Sequence, residues 1–151
     1  MSEETSSQET LARQLTALGN EAQTLGDLDE AANLHGAALE IYKQMGKLES
    51  QSNRLGSLGN IAFAQGELDE AERFYTEGLE IDRQLGRIEG QATHLNNLGV
   101  VAETFEEYPE ARAFWNEARD LYTQAGMPEM AEVIQANLDT LDEMEKGAEE
   151  S

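Results

Sequence analysis

The sequence contains no cysteine. That excludes disulfide bridges, thiolate nucleophiles and cysteine-based zinc sites. Lysine is scarce as well: only Lys43, Lys47 and Lys146. Ten basic residues face 31 acidic ones, for a formal net charge of −21. Nucleic acid and anionic lipid each require a positive patch, so neither is an expected partner. The acidity leaves two readings open. One is a surface that attracts a basic protein partner. The other is general solubility, including in a salt-rich cytosol. No apolar run approaches the roughly 18 residues of a membrane span. The opening stretch MSEETSSQET is acidic and polar, unlike a signal peptide, and the expected compartment is the cytoplasm.

Catalytic groups are sparse too. The two histidines, His35 and His94, have no nucleophile motif beside them. The stretch GDLDEA lacks the ligand spacing and glycine of a calcium loop. Its acids are better explained as helix-start residues favoured by the helix dipole. No glycine-rich phosphate loop is present. The sequence therefore predicts no enzyme, no catalytic residue, no metal and no cofactor.

What the chain does contain is a repeat. Residues 11–50 and 51–90 align without a gap, with sixteen of 40 positions identical. Residues 91–130 form a third, more divergent copy, and a partial fourth follows from Ala131. Each copy carries two amphipathic helical stripes. In the first copy these are Leu11, Leu15, Leu18, Ala22 and Leu25, then Leu28, Ala31, Leu34, Ala38, Leu39, Tyr42 and Met45. Gly26 separates them, with Asp27 and Glu30 placed for a capping box. Gly46, Gly86 and Gly126 close the second helices. In the third copy Glu106 stands where the others have Gly26 and Gly66, so a differently shaped or strained turn is expected there. Pro109 and Pro128 each sit near a helix start, where a missing N–H costs little.

These residues resemble the tetratricopeptide repeat. The first copy supplies Leu15, Leu18, Gly19, Ala22, Ala31, His35 and Ala38. The second supplies Leu55, Leu58, Gly59, Ala62, Ala71, Tyr75 and Gly78; the third Leu95, Leu98, Gly99, Ala102, Ala111, Trp115 and Ala118. The period of 40 is longer than the usual period of about 34, as in the long-helix variety found in kinesin light chains, spindle-orientation adaptors and many bacterial regulators. Glycine costs about 1 kcal/mol inside a helix. Gly19, Gly59 and Gly99 are therefore expected where a partner helix passes close. His35, Tyr75 and Trp115 are expected as packing spacers.

The resemblance implies an all-α solenoid of three helix-turn-helix repeats plus a C-terminal capping helix, seven helices in all. Expected boundaries are a disordered acidic N-terminus over 1–8 and a single domain over 9–146. Within it lie repeats 11–50, 51–90 and 91–130 and a capping helix over 128–146. A disordered tail is expected over 147–151. The resemblance also implies a concave groove lined by first helices. Its positions here are Ala17, Asn20, Ser57, Asn60, Asn97, Val100, Asn137 and Thr140, with Asn96 close by. Asparagine amides both donate and accept, so they suit the backbone of an extended peptide. The pair Asn60 and Asn97 is the leading backbone clamp. Arg13 and Arg54 lie nearby and could meet an acidic ligand group, or could equally be solvated. Phe63 could anchor an apolar side chain or serve packing. Relatives that hold a C-terminal carboxylate use Lys and Arg along this face. The matching positions here, Thr16, Asn20, Ser57, Thr93 and Asn97, contain no cation, so no carboxylate clamp is expected.

The leading expectation is a non-enzymatic protein-interaction module that binds an extended peptide or partner helix, with basic partners included. The alternatives are a small cytosolic chaperone or holdase, and a self-assembling scaffold. The expected oligomeric state is a monomer or weak homodimer.

Overall fold

The computed structural model describes residues 2–151 and places them in seven α-helices, with no strand among those residues. Contacts divide the chain into two compact units, Met1–Ile81 and Asp82–Ser151. The expected single domain over 9–146 spans both units. Repeat units bury their apolar faces mainly against immediate neighbours, so cores close locally.

Unit 1 holds α1 (Glu3–Leu25), α2 (Leu28–Met45), α3 (Leu48–Ala64) and most of α4 (Leu68–Leu85). Unit 2 holds the end of α4, then α5 (Ile88–Thr104), α6 (Tyr108–Gln124) and α7 (Pro128–Glu150). Helix α1 begins within the expected N-terminal stretch 1–8, and α7 extends into the expected tail 147–151. α1 begins at Glu3 because Ser2 caps it: the Ser2 Oγ accepts from the Thr5 backbone N–H at 3.1 Å. Glu3 and Glu4 then sit at the positive end of the helix dipole. α7 runs past Lys146 to Glu150, through Ala and Glu residues with high helix propensity. Met1, also within the expected disordered stretch, lies outside the described residues.

The expected capping box at the start of α2 does not form. Asp27 occupies the capping position but makes no side-chain cap hydrogen bond. The turn is closed by backbone instead: Asp27 N–H donates to the Ala22 carbonyl at 2.9 Å. Glu67 N–H and Glu107 N–H make the same bond to Ala62 and Ala102. The third turn therefore has the same shape as the first two. Glu106 adopts a φ of 60°, in the left-handed region where Gly66 has 79°. The strain expected from losing glycine is carried by Glu106 without reshaping the turn.

Small residues let paired helices touch. Ala31, Ala71 and Ala111 lie in the first turn of the second helices and are fully buried. Unit 1 buries Leu39, Leu55 and Leu58 together, with Ala32, Phe74 and Ile81 packed against them. Unit 2 closes around Trp115, Tyr122, Ile134, Leu138 and Leu141. Arg112 on α6 fastens α7 from outside through Asp142 and Glu145, at 2.5 and 2.8 Å.

Candidate interaction surface

Each first helix carries a Leu-Gly pair, and each of these glycines is buried against one ring of its own second helix. A methyl group on Gly19 would meet the His35 ring at 2.9 Å. One on Gly59 would meet Tyr75 Cε1 at 2.5 Å, and one on Gly99 would run into the Trp115 indole. The close approach expected from the sequence is thus an approach of ring to backbone.

A buried ring with a polar atom needs a partner for it, and each copy supplies a different one. The Tyr75 hydroxyl donates to Asn60 Oδ1 at 2.5 Å. Burial pushes the Tyr75 pKa up, so the hydroxyl remains a donor. The Trp115 Nε1–H lies elsewhere on a larger ring. It reaches Asn96, one turn earlier, donating to its Oδ1 at 3.1 Å and its carbonyl at 3.3 Å. The position after Gly99 then has no ring to serve. It is Val100, which packs against the unit 2 core. In the first copy Arg54 Nη1 donates to His35 Nδ1 at 2.7 Å. Arg has no acceptor, so His35 must hold its proton on Nε2, which faces Gly19 without a hydrogen-bond partner. Burial, and then the Arg54 charge, lower the His35 pKa to about 4. His35 is a neutral packing residue.

This geometry sorts the first-helix residues. Arg54 and Asn96 are turned inward, each engaged by a second-helix ring. Asn60 is exposed, with its oxygen anchored. Ala17 and Asn20 are exposed, and Asn97 and Asn137 are half-buried. Among the described residues, Asn20, Asn97 and Asn137 show no side-chain hydrogen bond. The hydroxyls of Ser57 and Thr140 fold back onto Asn53 and Ala136 carbonyls of their own helices. Arg13 is exposed and pairs with Glu9 at 3.2 Å. Phe63 is half-buried.

One constellation escaped the sequence reading. Asp82 is 1% exposed in unit 2. Its Oδ1 accepts from Arg87 Nη1 at 3.0 Å, and its Oδ2 lies 3.2 Å from buried His94 Nε2. Gly90 is where a side chain would collide with that carboxylate. Asp82 and His94 are buried and Arg87 is partly exposed, so the cluster fastens the end of α4 to α5. Its signal in the sequence was a mismatch between copies, with Asp82 standing where the others have Tyr42 and Tyr122. Among the described residues no cluster of potential ligands could hold a metal ion. No helix among them is long and apolar enough to cross a membrane.

The Tetratricopeptide repeat family matches residues 11–45 and again residues 51–124, together most of the chain. The chain belongs to the tetratricopeptide repeat family. Its fold is correspondingly shared with a solved tetratricopeptide domain and with further solved structures. It is similar to the Sgt2 TPR domain from Aspergillus fumigatus, with 16% identity and a TM-score of 0.72, over 93% of this chain and 82% of that one. It is similar to BtubC (BKLC) from P. vanneervenii, with 20% identity and a TM-score of 0.69, over 93% of this chain. It is also similar to RapI in its apo form, with 14% identity and a TM-score of 0.75, over 87% of this chain. The chain spans 66% of the BtubC chain and 52% of the RapI chain. At these identities the likeness concerns the tetratricopeptide fold alone. No curated protein matches the sequence significantly.

Proposed function

We propose that this tetratricopeptide chain is a non-enzymatic, cytoplasmic protein-interaction module whose first-helix faces bind an extended peptide or a partner helix. The residues involved are Ala17, Asn20, Ser57 and Asn60 in unit 1, and Asn97, Val100, Asn137 and Thr140 in unit 2. None of these eight is charged, on a chain of net charge −21.

The observation that carries this reading is the Tyr75–Asn60 hydrogen bond. It uses the amide oxygen and leaves the Nδ2 group as a donor at an exposed position. A fixed amide donor suits the carbonyls of a peptide backbone, whatever its side chains. The net charge of −21 favours a partner with basic flanks.

The test is affinity capture from native lysate with wild type and with Asn60→Ala/Asn97→Ala, read by mass spectrometry. Loss of specific partners from the variant supports the proposal. Equal retention of every partner would defeat it.

A further inference from the structure

We propose a second docking surface, on the outer side of α1 and α2 in unit 1, that takes a basic amphipathic helix. Leu11, Leu18 and Leu25 recur every seven residues along α1 and are 48%, 52% and 70% exposed. The equivalent leucines in later copies are buried: Leu58 is 6% exposed and Leu138 4%. Leu58 is buried under the second helix of the copy before it, against Leu39 and Ala32 of α2. Leu138 is covered in the same way by the unit 2 core that contains Trp115 and Tyr122 of α6. Among the described residues no such helix covers Leu18, which is 52% exposed.

A helix face left to water is ordinarily polar. This one is more apolar than its covered counterpart in the second copy. Where α1 has Leu11, Leu18 and Leu25, α3 and its turn have Gln51, Leu58 and Gln65. Gln51 there donates to the Tyr42 carbonyl of the preceding helix, and Gln65 donates to Asp29. Both polar ties to a covering helix are replaced by leucine on α1. The occupant must therefore present alkyl surface opposite Leu11 and Leu25.

The rim sets its charge. Leu18, Leu25 and Leu34 line a shallow depression of about 220 Å³, together with Glu21, Asp27 and Glu30. None of these three carboxylates makes a side-chain hydrogen bond or ion pair among the described residues, and no basic residue lines the depression. Lysine suits both demands, since its stem covers leucine while its ammonium reaches the acids. A second copy of the chain would bring acid against acid.

The probe is built from the chain itself. A helix-stapled peptide of the α2 sequence carries Asp29→Lys, Glu30→Lys and Glu40→Lys; the unmodified α2 peptide is the control. Fluorescence anisotropy measures binding to wild type, Leu18→Ser/Leu25→Ser and Asn60→Ala/Asn97→Ala. Leu18 and Leu25 are exposed, so the first variant retains its fold, which a thermal melt verifies. The basic peptide binds wild type, weakens by about tenfold or more on Leu18→Ser/Leu25→Ser, and binds Asn60→Ala/Asn97→Ala as it binds wild type. The control peptide does not bind. Undiminished binding to Leu18→Ser/Leu25→Ser, equal binding of the two peptides, or no binding of either overturns the proposal. So does wild-type self-association in sedimentation that Leu18→Ser/Leu25→Ser abolishes, which would assign the surface to a second copy.

Discussion

The Tyr75 hydroxyl and the Asn60 amide oxygen are 2.5 Å apart, the shortest of the links between a second-helix ring and a first-helix side chain. The ring decides what the first helix must provide. Tyrosine calls for asparagine at 60, whereas tryptophan calls for it at 96 and leaves position 100 to valine.

Asn60→Ala removes a partner of the Tyr75 hydroxyl and is expected to cost about 1 kcal/mol. In a double-mutant cycle with Tyr75→Phe, the two losses should total more than the double variant loses. Urea denaturation of the four proteins measures this. Strict additivity would mean the bond contributes nothing.

Gly59→Ala should be destabilising by about 2 kcal/mol or more, because its methyl group meets Tyr75 at 2.5 Å. Helix propensity alone would favour alanine by about 1 kcal/mol, so the sign is diagnostic. Gly147 has nothing within 4 Å, and Gly147→Ala should stabilise by about 0.5–1 kcal/mol. Thermal melts of both variants read the contrast.

Glu106→Gly is expected to stabilise the chain by about 1 kcal/mol, since it relieves a left-handed conformation at a residue with a Cβ. A denaturation midpoint unchanged or lowered by this substitution would argue against strain at that turn.

His35 couples stability to pH. Its folded pKa of about 4 lies below the unfolded value of 6.5. Between these values the unfolded chain binds the extra proton, so stability rises with pH across the window and falls on acidification from about 6.5 towards 4. Above 6.5 the contribution is fully present. The loss is on the order of 2–3 kcal/mol. Denaturation midpoints at pH 7 and pH 4.5 should therefore differ more for wild type than for His35→Phe. Equal differences would show that carboxylates alone set the acid response.

Much of this fold was legible in the residues. The 40-residue spacing, the Leu-Gly pairs and the glycines after each second helix led to helices that the structure contains. What the sequence concealed was which polar side chains turn inward. Asn60 and Asn96 meet their rings across 15 and 19 residues, and only the identity of the facing ring selects between them. Arg54 read as a solvated or ligand-facing cation because nothing local marks its bond to His35. The capping box failed because the backbone bond to Ala22 already closes that turn. Asp82 was missed because a buried carboxylate is recognisable only with Arg87 and His94 around it.

The most direct test of the amide-lined faces is a nitrogen-15 NMR titration of the side-chain amides. A peptide from a captured partner is added to the labelled chain. The amide signals of Asn20 and Asn60 in unit 1, or of Asn97 and Asn137 in unit 2, should shift on binding and saturate, while those of Asn33 and Asn116 on second helices stay in place. Saturable binding that leaves these four signals unmoved would contradict the proposal.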